Sequence, residues 1–558
     1  MAMGTSPQLY RRLRKASDIS IVTTAFSSSK RMHMSKEYIS CCEDKISSLP
    51  DEILIMILEK LDARTTLTTT ILSKRWLDLP RRSHTCYDLS VHEILPPRYH
   101  RIKKKTMETK AGYEAEKKAQ NLTDIYAFKD KYERYHAIRD RHERWMGKVH
   151  LLTSILQRYE RRAMRCYVKR VNAFLLAPDS VQQRSIQKLR LQMFEASSFI
   201  DQWIMAAIGR WGVEDLELVI ENSSWCYDFR LLDGCQNVRL KRLVLSGCYH
   251  HSATNSLVLQ GLTTLTLCKT SSTMLHAYDI LRNCVQLIDL RLEECSYDRG
   301  AFHINVPASK LKNLQLDNCN IGKIYLTLLP CLETFACRGQ PAKIYYGVVP
   351  RLKHVSLDFM PTGDHGEDDS SGSNWTYPLS KFFKGLPPPL DYLVLQMRGR
   401  QMWIEPTIIP GQFNHLKKLF IANMPMNWDT FWILILLGAA PALESLHVHI
   451  DKSAEMANAG SLDVKVEHRQ HHHLKELVVI GFEGVGWQTS FVKQIMGMSP
   501  RLMCVHLFDG RVVENKERGL WGLEIDPHQR EWHECDRSEV LDDLRDGSSL
   551  PYLEIVLE

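Results

Sequence analysis

The sequence predicts an α/β solenoid, with parallel strands on a concave face and helices on a convex face, preceded by a small all-α module. Two observations carry this. The pattern LxxLxL, where each L is any apolar residue, recurs thirteen times between residues 186 and 510. Upstream, residues 44–84 show apolar residues at helical spacing on both sides of a short polar break. A chain of 558 residues is long for one ordinary domain but normal for a repeat array.

The module comes first. Pro50 suits a helix start, and Asp51 and Glu52 suit the first turn, where the helix dipole favours anions. Ile53, Leu54, Ile57, Leu58 and Leu61 recur on one face, and a second helical stretch carries Leu67, Ile71, Leu72 and Trp76. About 40 residues is near the lower limit for a free-standing core. The module therefore needs a neighbour, in cis or in trans, to complete its apolar faces.

Residues 98–170 are charged and helix-favouring, with 21 Lys and Arg against 9 Asp and Glu. Residues 1–43 are Ser-, Thr- and Arg-rich and read as a disordered tail, a composition that also fits a transit peptide. The net charge of +7 is thus local to these two segments. The run Arg101 to Lys105 could serve nuclear import or phosphate contact. Glu and Asp interrupt the basic stretch throughout, so i,i+4 pairing on a charged helix, a helical linker or insertion, explains it better than nucleic-acid binding.

The repeats start at Ile186, Val213, Leu240, Leu262, Leu287, Leu311, Leu332, Leu352, Leu390, Leu416, Leu443, Leu474 and Leu502. Spacings run from 20 to 31 residues, except for 38 between Leu352 and Leu390. Three copies extend to LxxLxLxxC, ending at Cys248, Cys295 and Cys319. This is the leucine-rich-repeat pattern. Alternate residues of the short strand point to opposite faces, so the Leu positions fill the core. The Cys lies at the turn, where a small side chain can bond backbone groups. One repeat cannot bury its own apolar face, but a stack can. Twelve steps of about 4.8 Å give a face roughly 58 Å long, suited to a protein.

Helices are expected between strands, at Phe199 to Trp211 and Phe491 to Met498. The apolar run Phe431 to Ala442 is too short for a membrane span, which needs about 20 residues, and reads as a buried helix. Asp364 to Ser373 is acidic and Ser/Gly-rich, and reads as a mobile loop that accounts for the long spacing. Residues 511–558 read as a polar tail ending in a strand-like run, Leu553 to Leu557.

No HExxH, P-loop, GxGxxG or GxSxG motif occurs, no CxxC pair is present, and no cofactor, metal or catalytic residue is expected. The fifteen Cys read as buried apolar residues of a reducing compartment. His468, His471, His472 and His473 read as a solvated loop, and Gly481 to Gly486 as a turn.

Leu49-Pro50-Asp51-Glu52-Ile53-Leu54, Leu61-Asp62 and Leu72-Ser73-Lys74-Arg75-Trp76 resemble the F-box, and the combination resembles plant F-box/leucine-rich-repeat proteins. The Phe491 to Leu502 stretch and the C-terminal strand are similar to the FBD-type tail of those proteins. The Asp62-Ala63-Arg64 stretch and the basic segment at 98–150 depart from the usual pattern. The resemblance implies a non-catalytic substrate-recognition subunit of an SCF-type E3 ubiquitin ligase, located in the nucleus or cytoplasm. A Skp-type adaptor would dock on Leu49, Pro50, Ile53, Ile57, Leu61, Leu72 and Trp76 and bring cullin and RING subunits. Leu61 and Trp76 are equally suited to internal packing. The alternative is a leucine-rich-repeat scaffold outside any ligase, with a degenerate F-box. No membrane partner is expected.

Residues flanking the last two apolar positions of each strand face the concave surface. In middle repeats they are polar: Asp289, Arg291, Glu293, Asn313, Gln315 and Asp317. Later they turn apolar, at Tyr392, Val394, Phe420, Val478, Ile480 and Phe508. A row of exposed apolar residues marks an interaction site. These six are expected to anchor the protein substrate, unless the tail or the acidic loop covers them.

Overall fold

The fold is described from a computed structural model. It describes residues 46, 48–61, 65–66, 69, 75–76, 79, 83–123, 131–176, 186–222, 225–227, 238–250, 257–272, 281–297, 301–360, 377–378, 390–397, 404–405, 413–425, 431–452, 470–514, 523–527, 532–546, 550 and 552–558. The expected tail at 1–43, the acidic stretch at 364–373, Leu72 and His468 lie outside the described residues. The chain divides into two units, 1–57 and 58–558.

The larger unit is built on one parallel sheet of fifteen strands in strict chain order, from Cys86–Ser90 to Glu554–Leu557. Thirteen of these strands carry the thirteen apolar repeats. Their Leu positions, such as Leu290, Leu292, Leu314 and Leu316, are buried in one continuous core. Neighbouring repeats sit in direct register, Leu290 beside Leu314 and Leu314 beside Phe335. A strand period of two therefore sends every Leu to one face and leaves the other open.

The turns leaving the strands follow from the same repeat. Lys269, Glu294 and Asn318 adopt positive φ, as do Gly247 and Gly339 at the equivalent place. After Lys269, Glu294 and Asn318 the next residue, Thr270, Cys295 or Cys319, is buried. Cys295 Sγ donates to the Leu267 carbonyl at 3.3 Å, and Cys319 Sγ to the Leu292 carbonyl at 3.4 Å. Each thiol thus bonds the backbone of the preceding repeat.

Helices cover the core near both ends of the sheet. Ile200–Met205 continues as a π turn over Ala206–Arg210, and Leu257–Gly261, Phe431–Ala439 and Gly486–Met498 follow. In the middle repeats the expected helices are absent, and Ala301–Asn305, Lys323–Leu328 and Lys343–Val348 form a second parallel sheet instead. Two of these three repeats are short. Repeats starting at Leu311 and Leu332 have only 21 and 20 residues before the next. A strand advances ~3.3 Å per residue against ~1.5 Å for a helix, so six extended residues span what would take about thirteen helical ones.

The basic segment forms two antiparallel helices, Pro97–Thr123 and Lys131–Leu175, inserted between the first and second strands. Tyr113 stacks on Trp145 at 4.0 Å, and Tyr99 OH donates to Glu160 Oε1 at 2.7 Å. Lys104–Glu108 and Arg139–Glu143 are i,i+4 pairs. The end of the second helix packs into the first repeats. Phe174 meets Tyr87 and Trp211, and Trp203 Nε1 donates to Asn172 Oδ1 at 2.6 Å. Tyr167 OH donates to the Leu89 carbonyl at 2.9 Å.

The residues after 510 are not simply a polar tail. Gly510–Glu514 and Leu523–Pro527 form an antiparallel hairpin, and Glu534–Arg545 is a helix held to Gly486–Met498 by Lys493–Asp543 at 2.6 Å. Glu554–Leu557 then adds the last strand of the large sheet. No helix among the described residues is long and apolar enough to cross a membrane.

Candidate functional site

Two surfaces bear on function. The first is the helix Asp51–Leu58. The Pro50 carbonyl accepts from Leu54 N, which starts the helix, and Asp51 and Glu52 stand in its first turn. Leu54 and Leu58 are buried, whereas Ile53, Met56 and Ile57 are 41%, 60% and 43% exposed. Large apolar side chains on a short helix normally turn inward, so an exposed stripe of this kind is a candidate interaction surface. Leu49 and Leu61 are half-buried and Pro50 is exposed. Trp76, expected among the docking residues, is buried, so packing within the fold accounts for it.

The second surface is the open face of the large sheet. Its first strands carry a ladder of ion pairs. Arg190 bonds Asp88 at 3.0 Å and Glu217 at 2.8 Å, and Arg242 bonds Asp215 at 2.8 Å. In the middle, Asn313 donates to Asp289, Thr334 to Asn313, and Arg338 to Asp358 at 2.9 Å. The Arg190 guanidinium is held charged: the Asp88 and Glu217 carboxylates raise its pKa against the opposing effect of desolvation. Most charges here are thus neutralised before any partner arrives.

The later strands differ from the expectation of an exposed apolar row. Val394, Phe420, Val478 and Ile480 are only 2%, 4%, 4% and 0% exposed. They form a second core cluster with Ala422, and Tyr392 and Phe508 pack at its edge. The cover is the hairpin: Val512, Leu523 and Ile525 lie against the patch, while Val513 points away, 41% exposed. Alternation along the hairpin puts one apolar face inward, and burial of two apolar faces against each other is favourable by roughly 25 cal/mol per Å². The six residues are therefore brought together as expected, but as a closed interface within the chain. Lys452 fixes its edge, bridging Asp509 at 2.5 Å and Glu483 at 3.0 Å.

Two histidines near this region are structural. His471, expected in a solvated loop, is buried. It accepts from Leu474 N at 3.1 Å and its Nε2 lies 2.9 Å from the Ala440 carbonyl, while His472 and His473 remain exposed. His449 on the open face accepts from Asn423 N at 3.1 Å through Nδ1. Burial pushes its pKa down to about 4, against a smaller opposing pull from Asp451. The unfolded chain binds this proton below about pH 6.5 and the folded chain only below about 4, so stability falls as pH drops through that window. The loss expected between pH 7.5 and pH 4.5 is on the order of 2–3 kcal/mol, since each pH step of one within that window is worth about 1.4 kcal/mol. Urea unfolding at pH 7.5 and pH 4.5, with His449→Gln as comparison, checks this. An equal slope in both proteins would remove His449 as the cause.

Glu476, Cys504 and His506 also come together on the open face, with donor atoms suited to a metal ion. The sequence held no signal for this group, because its members are on two strands and share no motif.

Comparison with known proteins places both surfaces in context. The family described as "At1g61320/AtMIF1, LRR domain" matches residues 180–516, more than half the chain. The F-box domain matches residues 46–86, which include the stripe of Ile53, Met56 and Ile57. Among curated proteins, the chain is 46% identical over 54 residues to the F-box/LRR-repeat protein At3g03360 of Arabidopsis thaliana, covering 10% of this chain and 11% of that one. It is 50% identical over 38 residues to the putative FBD-associated F-box protein At1g05080 of the same plant, covering 7% of this chain and 9% of that one. These stretches span about a tenth of the relatives' lengths. With an F-box domain followed by a leucine-rich-repeat domain on one parallel sheet, this chain belongs to the plant F-box/leucine-rich-repeat family.

Proposed function

We propose that this chain is the non-catalytic substrate receptor of an SCF-type ubiquitin ligase, acting in the nucleus or cytoplasm. The observation that carries the reading is the exposed apolar stripe Ile53, Met56 and Ile57 on a helix within the F-box match. A Skp-type adaptor buries this stripe, with Leu49, Pro50 and Leu61 beside it. Cullin and RING subunits are reached through the adaptor. The repeats hold the protein substrate on the open sheet face, and modification follows from proximity rather than from chemistry in this chain. The paired charges of the early and middle strands suit a partner surface of mixed polarity. An FBD-type role for the segment after 510 belongs to the same reading.

Co-expression of the full chain with a plant Skp-type adaptor tests this. The wild-type pair is expected to co-purify, and Ile57→Asp to abolish capture while leaving thermal stability within about 0.5 kcal/mol, as for an exposed site. A folded chain that captures no adaptor would instead support a leucine-rich-repeat scaffold with a degenerate F-box, and an Ile57→Asp variant that still captures it would move the docking surface away from this stripe.

A further inference from the structure

The C-terminal strands carry a side-chain group that neither adaptor docking nor the hairpin uses. Glu476 and Cys504 are direct partners on the adjacent parallel strands Glu476–Ile480 and Cys504–Phe508, and His506 follows two residues on along the same face. A carboxylate oxygen, a thiol sulfur and an imidazole nitrogen from these three all lie within 4.8 Å of one another. On the other flank of Glu476, His447 brings Nε2 to 3.4 Å from Oε2. Ser445 donates to the same oxygen at 2.5 Å, orienting the carboxylate.

The positions are set by backbone, not by chance rotamers. Parallel register places 476 beside 504, and strands lie ~4.8 Å apart, so the side chains of three neighbouring strands converge above one patch of sheet. His506 is further held by a stack on Phe508, at 5.9 Å and 4° between ring planes. All four residues are partly exposed, so an ion reaches them from solvent.

We propose that Glu476, Cys504 and His506, completed by His447, form a zinc site that joins the last repeats of the solenoid. The donor set decides the metal. Thiolate, imidazole and carboxylate together suit a tetrahedral ion of borderline softness, whereas Ca²⁺ and Mg²⁺ require oxygen ligands throughout. Donor atoms around tetrahedral zinc are roughly 3–4 Å apart, given bonds of about 2.0–2.3 Å, so Glu476, Cys504 and His506, whose donors lie within 4.8 Å of one another, need only small side-chain rotations to close on an ion. Cys504 stands in register between Glu476 and Glu554, and its Sγ lies 3.8 Å from the Lys475 carbonyl, the acceptor it would leave on binding an ion. Burial, Glu476 and Glu554 hold the Cys504 pKa up, so without a cation it is a neutral thiol. Zinc binding breaks the S–H bond, forms the Zn–S bond and releases the proton to solvent.

The test uses the full chain stripped with a chelator, then titrated with Zn²⁺ alone against a chromophoric competitor and with Co²⁺ alone as an absorbing probe. One ion per chain is expected, with a thiolate-to-cobalt charge-transfer band and the visible bands of tetrahedral Co²⁺. Loss of an outer-shell partner alone weakens metal binding about 10–100-fold, so Cys504→Ser is expected to remove the charge-transfer band and weaken Zn²⁺ at least ~100-fold. Glu476→Gln and His506→Gln are expected to weaken it at least ~10-fold, and they serve as the reading if circular dichroism shows Cys504→Ser misfolded. The paired change His472→Ala/His473→Ala, in the neighbouring His-rich stretch, leaves binding unchanged. A folded chain that takes up no Zn²⁺ at micromolar concentration overturns the proposal. So does uptake that survives Cys504→Ser and Glu476→Gln, since the ion then sits elsewhere.

Discussion

Phe420→Asp is expected to destabilise the C-terminal half of the solenoid by about 4 kcal/mol or more and to release the hairpin from the sheet. Removing a buried Phe side chain costs about 3–5 kcal/mol, and a carboxylate left without a partner in that site adds to it. Phe420 is buried among Val394, Ala422, Val478 and Ile480 beneath Val512, Leu523 and Ile525. The effect is read as a lower urea midpoint and as rapid proteolysis between 510 and 527. Phe420→Leu, which keeps most of the apolar volume, is expected to lose about 1 kcal/mol. An unchanged midpoint and an intact hairpin in Phe420→Asp would mean that the patch is open in solution. The variant therefore cannot report on substrate capture alone, because a loss of capture would follow from the loss of structure. A substrate that reaches this patch must displace the hairpin or bind over its outer face, where Val513 is exposed.

The second large effect is at Gly481, in the turn between the strand Glu476–Ile480 and the helix Gly486–Met498. Its φ is +77°, and a Cβ there would stand 2.3 Å from the Ile450 carbonyl oxygen. That oxygen belongs to the neighbouring strand and cannot move without disturbing the Ser445–Asp451 pairing. Gly481→Ala is expected to cost about 3 kcal/mol, combining the penalty of a left-handed conformation with the backbone clash. Gly497, inside the following helix, has nothing within 4 Å of an added Cβ. Gly497→Ala is expected to gain about 0.5–1 kcal/mol, since alanine favours helix over glycine. Equilibrium unfolding of the two variants side by side measures both. A Gly481→Ala protein as stable as the wild type would show that this turn is not built as described.

In the proposed function, docking and recognition use opposite devices. The F-box helix leaves Ile53, Met56 and Ile57 exposed. The repeat sheet instead closes its apolar patch with its own hairpin and leaves a pre-paired charge ladder open. Affinity for substrate on such a face depends on complementarity more than on apolar burial.

The thirteen repeat strands, their core Leu residues, the inward Cys295 and Cys319, and the apolar helices at Phe431 and Phe491 could all be read from the chain, although the second begins five residues earlier, at Gly486. Each follows from a local period of two or about 3.6 residues, or from a fixed offset within one repeat. The F-box helix could be read for the same reason. Other features needed the folded chain. The first strand, Cys86–Ser90, offers only Tyr87 and Leu89 to the core and pairs with residues about a hundred positions away. In the short middle repeats, strands replace helices because of the distance to be spanned, not because of local propensity. The burial of Phe420 and Val478 was undecidable from their own strands, because the hairpin that covers them comes from beyond the last full repeat. His471 is buried because it meets the Ala440 and Met498 carbonyls, about thirty residues away on either side. The meeting of Glu476, Cys504, His506 and His447 depends on the register of three strands. Periodicity along the chain sets which face of an element is apolar. What covers that face, and which side chains meet on the other, depends on contacts between residues far apart in sequence, which only packing decides.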